Sequence, residues 1–526
     1  MVWFFTNPSV SQRSRLIFYG HLVLLLQSTC KSVTRQGSVE SEVLPSLHEH
    51  NITASNQESS AARSERNNCT KARRLQSVLF FVSRSLSLLK NRRSHFFFPA
   101  VLLSALMYRS SIPRFIGLLL VSLIVSVHAW GSNPIPDSIR PKTNWESSFP
   151  SNPTVTVQTG HSAQQAIDSC DNLVGSEGYC TVLLVGNPSD STINIYRSRT
   201  KLTSNGAEIT SSGSVTFVAV NTPYVHRVVV ENLNIRGHTA ANIYAIFVSG
   251  SAISEIVLRG NNIYSFNGTS NAHGIAVYGE GSVPISDVSI LFNEVYDMST
   301  GYSESIVVNG NVVRWVIGSN YVHDVNNIAI DAIGGEGTFP PSSFARLPRP
   351  SDAARKGVIE YNTVERVSTL TNPNYGNSHT WAAGIYVDGA REVLIQGNTL
   401  VGTPWGIEIG AENCVITTDV IVRYNTISNS YYGDFLIGGY NPGGYVGNGS
   451  IQCNPRFTQD ADEGHGYVQR ISVMGNNFST TTGSEDNILV QYRATYAVIA
   501  QPGVSPQNEN GNGSAAGDEN AVRTWL

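Results

Sequence analysis

Along much of the chain apolar and polar residues alternate in short runs that close on glycine. Gly384-Ile385-Tyr386-Val387-Asp388-Gly389 and Gly406-Ile407-Glu408-Ile409-Gly410 are two of them; residues 245–250, 274–279, 305–310 and 329–334 form similar phrases. Alternation with a period of two marks a strand with one face buried. A second phrase, Asn-x-aliphatic or Asn-x-aromatic, follows most of these runs. Its asparagines are Asn261, Asn293, Asn320, Asn362, Asn398, Asn425 and Asn476, at gaps of 32, 27, 42, 36, 27 and 51 residues. The shorter gaps fit one coil of a solenoid, and the longer ones fit a coil plus a loop. Each unit predicts a strand rich in β-branched residues or leucine, a bend at asparagine, and a second short strand. The asparagines are expected at one corner of every coil, their amides bonded along the axis so that buried polar groups are satisfied.

The flanks of the repeat read differently. Residues 162–173 carry helical spacing (Ala163, Ala166, Ile167, Leu173) and predict a short helix capping the open end of the solenoid, since a first coil would otherwise expose its core. Strands are expected at 181–185, 193–196, 207–210, 215–220 and 227–235. Residues 130–160, rich in Pro and Ser at their start, read as a linker or arm, 161–504 as the solenoid, and 505–526 as a disordered tail. Two stretches break the period: a proline-containing insertion at 335–380 that closes at Trp381, and a glycine-rich one at 439–468. Long loops on a solenoid usually flank its binding face.

Composition separates the first 129 residues from the rest. They hold 15 Lys and Arg against 5 Asp and Glu, and 35–75 is polar and aperiodic, the character of disorder. Met107-Tyr108-Arg109 opens a basic segment, 115–127 is almost wholly apolar, and Val127-His128-Ala129 offers the small residues a signal peptidase reads. The preferred reading makes 107–129 a secretory signal and 1–106 a non-native or disordered extension. The alternative is a signal anchor, although the apolar run is shorter than the roughly 20 residues of a membrane span. Beyond Ala129 stand 20 basic and 34 acidic side chains, with Lys142, Lys201 and Lys356 the only lysines. Such a balance repels polyanions, so nucleic acid is not an expected partner. A monomer is expected. Cys170, Cys180, Cys414 and Cys453 suggest two disulfides, with proximity favouring Cys170–Cys180 and Cys414–Cys453. Sequons at Asn267, Asn448, Asn477 and Asn512 fit a secreted glycoprotein.

The repeat resembles the right-handed parallel β-helix of pectate lyases and related carbohydrate-active proteins, over about residues 160–500. The resemblance implies an all-β, pectin-lyase-like solenoid; its period says little about chemistry. In such a fold the coils stack about 4.8 Å apart, so equivalent positions form columns. Aligning the glycine-ended phrases on their aliphatic residues gives one outward column of Phe247, Ala276, Val307, Asp331, Tyr386 and Glu408. A second is Ser249, Tyr278, Asn309, Ile333, Asp388 and Gly410. Acids enter these columns only at Asp331, Asp388 and Glu408, on three consecutive coils. Asp388 and Glu408 lie one coil and two residues apart, roughly 8 Å between backbones, so their carboxyls can approach the spacing of a glycosidase pair. Crowding raises the pKa of one member, which then serves as the acid.

The phrases also resemble those of a β-xylosidase family with this fold. That resemblance implies Asp388 as nucleophile and Glu408 as acid/base; the aligned column itself adds Asp331 as a third candidate catalytic acid. Tyr386, Tyr278, Asn309, Glu412, Arg355, Lys356, Arg391 and Trp405 are candidate substrate-binding residues, and Glu336 and Trp381 flank them. The expected partner is a polysaccharide or oligosaccharide, and no cofactor is expected for a hydrolase. A polysaccharide lyase is the alternative. There Arg355, Lys356 or Arg391 supplies the base, and the three acids hold Ca²⁺ through hard oxygen donors. A third reading is a non-catalytic polysaccharide-binding or structural β-helix, with the acids merely solvated on an open face. His323-Asp324 and Asp460-x-Asp462-Glu463 read as structural.

Overall fold

The computed structural model describes residues 140–211, 213, 215–339, 350–380, 382–412, 415–439, 466–479, 488–490, 494–495, 497–500, 507–508 and 522–524. The chain divides into two units, Met1–Leu120 and Val121–Leu526, and the described residues belong to the second. The readings of 1–106, 107–129, Trp381, Cys414, Cys453, Asn448, Asn512 and Asp460 to Glu463 fall outside them. Among the described residues no helix is long and apolar enough to cross a membrane.

One coil shows the plan. Ser254–Arg259 lies in a first sheet, Asn262–Tyr264 in a third and Asn267–Gly279 in a second; Ile285–Leu291 then returns to the first sheet beside Ser254–Arg259. Neighbours along every sheet come from successive coils and pair in parallel. The fold is the expected right-handed parallel β-helix, the hand that parallel crossovers take. The described residues give 14 strands to the first sheet, 11 to the second and nine to the third. Alternate side chains enter the lumen, where Ile246, Ile275, Ile306, Ile330, Ile385 and Ile407 stack as one fully buried row.

The asparagine corner has two parts. The ladder runs from Asn261 to Asn476, each Nδ2 donating to the next Oδ1 at 2.9 Å. The residue before each ladder asparagine takes a left-handed φ: Gly260, Phe292, Ser319, Tyr361, Gly397, Tyr424 and Gly475 lie between +54° and +65°. That conformation turns the chain sharply enough to leave the first sheet and enter the third.

The first sheet carries a second left-handed column: Arg227, Glu255, Asp287, Arg314, Lys356, Glu392, Asp419 and Arg470. Three of its rungs are ion pairs along the axis: Arg227–Glu255 at 3.0 Å, Arg314–Asp287 at 2.6 Å and Arg470–Asp419 at 2.8 Å. Lys356 stands in this column, between Arg314 and Glu392.

The capping helix forms as Ala163–Val174, with Ser162 Oγ accepting from the Gln165 N–H at 3.0 Å. It buries Ala163, Ala166, Ile167 and Cys170 against the first coil. Cys170 bonds to Cys180, at the start of Cys180–Leu184, which ties helix to sheet.

Three expectations need correction. The solenoid begins before residue 161, since Val155–Val157 already pairs with Cys180–Leu184. The arm ahead of it lies on the first sheet, with Trp145 and Phe149 against Val229 and Val257 and with Arg140 bonded to Glu360. The stretch 335–380 is not one insertion. A regular coil, Arg355–Glu360 and Thr363–Val367, runs through its middle and separates the described residues 334–339 and 350–354 from 368–380 and 382. The tail is not wholly irregular: Gln507–Asn508 and Val522–Thr524 extend the second and first sheets, because an open parallel edge accepts any short segment with free backbone groups.

Candidate active site

The columns read from the sequence match the register of the second sheet. Val307 pairs with Asp331, Asp331 with Tyr386, and Tyr386 with Glu408. Tyr278 pairs with Asn309, Asn309 with Ile333, and Asp388 with Gly410. Asp388 therefore lies diagonally between Asp331 and Glu408, with Tyr386 two residues before it on the same strand.

These side chains point away from the lumen, yet they are not solvated on an open face. Asp331 is 2% exposed, Asp388 5%, Tyr386 5% and Asn309 0%, while Glu408 and Glu412 are half-buried. One aperiodic excursion lies beside part of this group. In 368–380, Asn372 Nδ2 donates to the Gly301 carbonyl at 2.7 Å and Asn374 Nδ2 to the Ser270 carbonyl at 3.3 Å. Tyr375, from the same excursion, comes close enough to Glu304 and Glu412 for their charges to act on its phenol.

Hydrogen bonds organise one side of the cluster. The Glu412 N–H donates to Asp388 Oδ1 at 2.7 Å, and the Tyr386 hydroxyl donates to Glu412 Oε1 at 3.1 Å. Asn309 Nδ2 donates to Glu336 Oε2 at 2.6 Å and its Oδ1 accepts from Thr338 at 2.8 Å; Glu336 itself is exposed at the rim. Two carboxyl oxygens are buried with no partner, Asp331 Oδ1 and Glu408 Oε2.

Burial is the main force on the acids. It pushes Asp331, Asp388 and Glu408 well above the ordinary carboxylate range and takes Glu304 to about 8. The acids then raise one another: Glu304 and Asp388 act on Asp331, Glu412 and Glu408 act on Asp388, and Glu412 acts on Glu408. Among the described residues, no cation counters the shift on any of these groups.

Sequence alternation did not point to Glu304 and His273. They stand with Tyr244 in a third outward column, just before the aligned phrases. Extending the same alternation back two residues from Phe247 would have passed the column by, because it sits three residues before the aligned position; His273 pairs with Tyr244 directly. His273 is buried, its Nδ1 lies 2.9 Å from the Glu304 carbonyl, and its Nε2 lies 3.4 Å from the Tyr278 hydroxyl. Burial lowers its pKa to about 4, so the ring is neutral near pH 7. Tyr244 stacks on both His273 and Phe247. At the other end Trp405 stacks on Tyr432, and His379 on the exposed Tyr431.

The structure does not bring Arg355, Lys356 and Arg391 into this group. Arg355 and Arg391 pair on the first sheet, past the corner after Asp388; burial draws both guanidiniums below their ordinary value. Lys356 belongs to the left-handed column of the first sheet. Among the described residues no three His, Cys, Asp or Glu side chains form a metal-holding group. Asn267 is half-buried at the start of Asn267–Gly279, and Asn477 is exposed.

No protein-family model matches the chain. It is 35% identical over 241 residues to the uncharacterized protein YwoF of Bacillus subtilis (strain 168), a match that takes in 44% of this chain and 47% of that protein, so the chain spans about half of that relative's length. Among solved structures it is similar to the GH136 lacto-N-biosidase from Eubacterium ramulus, at 9% identity and TM-score 0.42, covering 70% of this chain and 67% of that one. It is similar to the mannuronan C-5 epimerase AlgE4 A-module of Azotobacter vinelandii at 12% identity and TM-score 0.43, covering 71% and 100%. Likeness to the endo-xylogalacturonan hydrolase from Aspergillus tubingensis is 9% in identity with TM-score 0.39, covering 70% and 95%.

Proposed function

We propose that the chain is a secreted carbohydrate-active enzyme that cleaves glycosidic bonds with Asp388 and Glu408. The observation that carries this reading is the unequal setting of two neighbouring carboxyls. Asp388 receives the Glu412 N–H, a bond that favours its ionised form. Glu408 keeps a buried oxygen with no partner, which favours the protonated acid. Of this pair, Asp388 suits the nucleophile and Glu408 the proton donor. In the first step an Asp388 oxygen bonds to the anomeric carbon as the glycosidic C–O bond breaks, and Glu408 gives its proton to the leaving oxygen. In the second, water gives a proton to Glu408 while its oxygen displaces Asp388. Tyr386 positions Glu412 and through it Asp388. Asp331 pairs with Tyr386 from the coil before, and burial holds its own carboxyl well above the usual range. The acidic surroundings favour a neutral glycan over a uronate. The lyase alternative has less support, since its base candidates lie on the first sheet.

The test is to incubate the purified chain with neutral and acidic polysaccharides, following new reducing ends and ultraviolet absorbance with and without chelator. Reducing ends without absorbance are expected, and Asp388→Asn and Glu408→Gln each lower the rate by about a thousandfold or more. Chelator-sensitive absorbance would transfer the assignment to a lyase. Full activity in Asp388→Asn would end the role given to that residue.

A further inference from the structure

At the corner where the first sheet turns into the third, three aromatic rings stand in a row facing solvent. Phe292, Tyr361 and Tyr424 are 64%, 60% and 64% exposed. They occupy one column, because the residues before them share the register Leu291–Gly318–Glu360–Gln396–Arg423. Ser319 and Gly397 take the intervening coils, so the rings recur every second coil, about 9.6 Å apart.

Packing does not account for this choice of residues. All three have left-handed backbones, φ +55°, +55° and +58°, a conformation that disfavours bulky side chains. Glycine or a small polar residue serves at the same corner elsewhere. The exposed rings gain little from burial to offset that strain. A glycine on the next coil leaves room for each tyrosine ring: a Cβ on Gly397 would meet Tyr361 Cε1 at 2.6 Å, and one on Gly475 would meet Tyr424 Cε1 at 2.9 Å. Each tyrosine ring packs beside that glycine while most of the residue stays exposed, and the Arg423 guanidinium carbon lies 5.8 Å from the Tyr424 ring centroid. Beside the row run Thr363, Thr399 and Thr426, the last two exposed; on its other side Arg423 is engaged with Gln396 at 2.9 Å.

We propose that this stripe is a second carbohydrate-binding surface, which takes an extended neutral β-1,4-linked glycan laid along the solenoid axis. Sugar rings offer an apolar C–H face to an aromatic platform, and threonine hydroxyls suit their rims. A β-1,4-linked chain turns over at each residue, so the same face returns at every second sugar, as the rings return at every second coil. The surface lies across the coil from the second sheet and does not depend on hydrolysis there.

Retention of the full chain on insoluble cellulose tests the assignment. The parent chain is expected to bind, Tyr361→Gly to bind about tenfold more weakly, and the triple variant Phe292→Gly/Tyr361→Gly/Tyr424→Gly not to bind. Glycine suits the left-handed backbone, so these changes spare the fold, which thermal unfolding checks; Tyr361→Asn is the second variant at the central position. Asp388→Asn is expected to bind as the parent does. A parent chain that stays in solution, a triple variant retained like the parent, or binding lost in Asp388→Asn but kept in the triple variant would each overturn the proposal.

Discussion

At the scale of single residues, the acid face stores protons, and that fixes how stability varies with pH. Glu304 titrates at 4.5 when free and at about 8 in the fold; Asp331, Asp388 and Glu408 are shifted in the same direction. A raised carboxyl binds its proton more tightly in the folded state. Its contribution is fully present below the unfolded value and is lost as pH rises through the folded one. For Glu304 the window runs from 4.5 to about 8, with a slope of at most about 1.4 kcal/mol per pH unit for each such group. Denaturant titrations at pH 5 and pH 8 are therefore expected to show lower stability at pH 8, and Glu304→Gln to shrink the difference. A parent curve flat across this window would contradict the buried acids. The sequence revealed Asp331, Asp388 and Glu408 because acids interrupt an aliphatic column. It did not reveal Glu304, which lies outside the aligned phrases, nor the burial of the acids, since alternation alone makes these positions outward.

At the scale of the element, the recurring asparagine is the clearest signal in the chain and corresponds to one object, a continuous ladder. Asn362 shows what a rung does. Its Nδ2 donates to Asn398 Oδ1 and to the Ile317 carbonyl, and its Oδ1 accepts both the N–H and the Nδ2 of Asn320. Asn362→Ala leaves several of these buried groups without partners and is expected to cost about 2–4 kcal/mol in chemical denaturation. Because neighbouring rungs share a bond, the double variant Asn362→Ala/Asn398→Ala should cost less than the sum of the two single changes. Strict additivity would mean that the amides act independently. The left-handed residue before each rung was not legible in the same way: Gly260, Gly397 and Gly475 suggest it, whereas Phe292, Tyr361 and Tyr424 conceal it. The stretch 335–380 is less legible for a related reason: its prolines stand beside a regular coil at 355–367 that Asn362 alone marks in the repeat.

At the scale of the whole solenoid, each coil touches only its neighbours, so a disturbance at one end should fade along the axis rather than unfold the chain at once. The N-terminal end is held by three devices: the capping helix, the Cys170–Cys180 bond, and the arm whose Trp145 and Phe149 lie on the first sheet. The disulfide closes a ten-residue separation, which in the chain-entropy account stabilises the folded end by about 2–3 kcal/mol. Replacing both cysteines with alanine is expected to speed amide exchange in Cys180–Leu184 and Thr200–Ser204, where the helix and the first coil pack. The strands Ala383–Asp388 and Trp405–Ala411, which carry the acid pair, should exchange at the parental rate, and activity should persist. Acceleration spread evenly from cap to acid site would show that the solenoid unfolds as one cooperative block, and the site would then depend on a cap many coils away. Acceleration confined to the first coils would mean that the acid face is supported locally, by its own and adjacent coils.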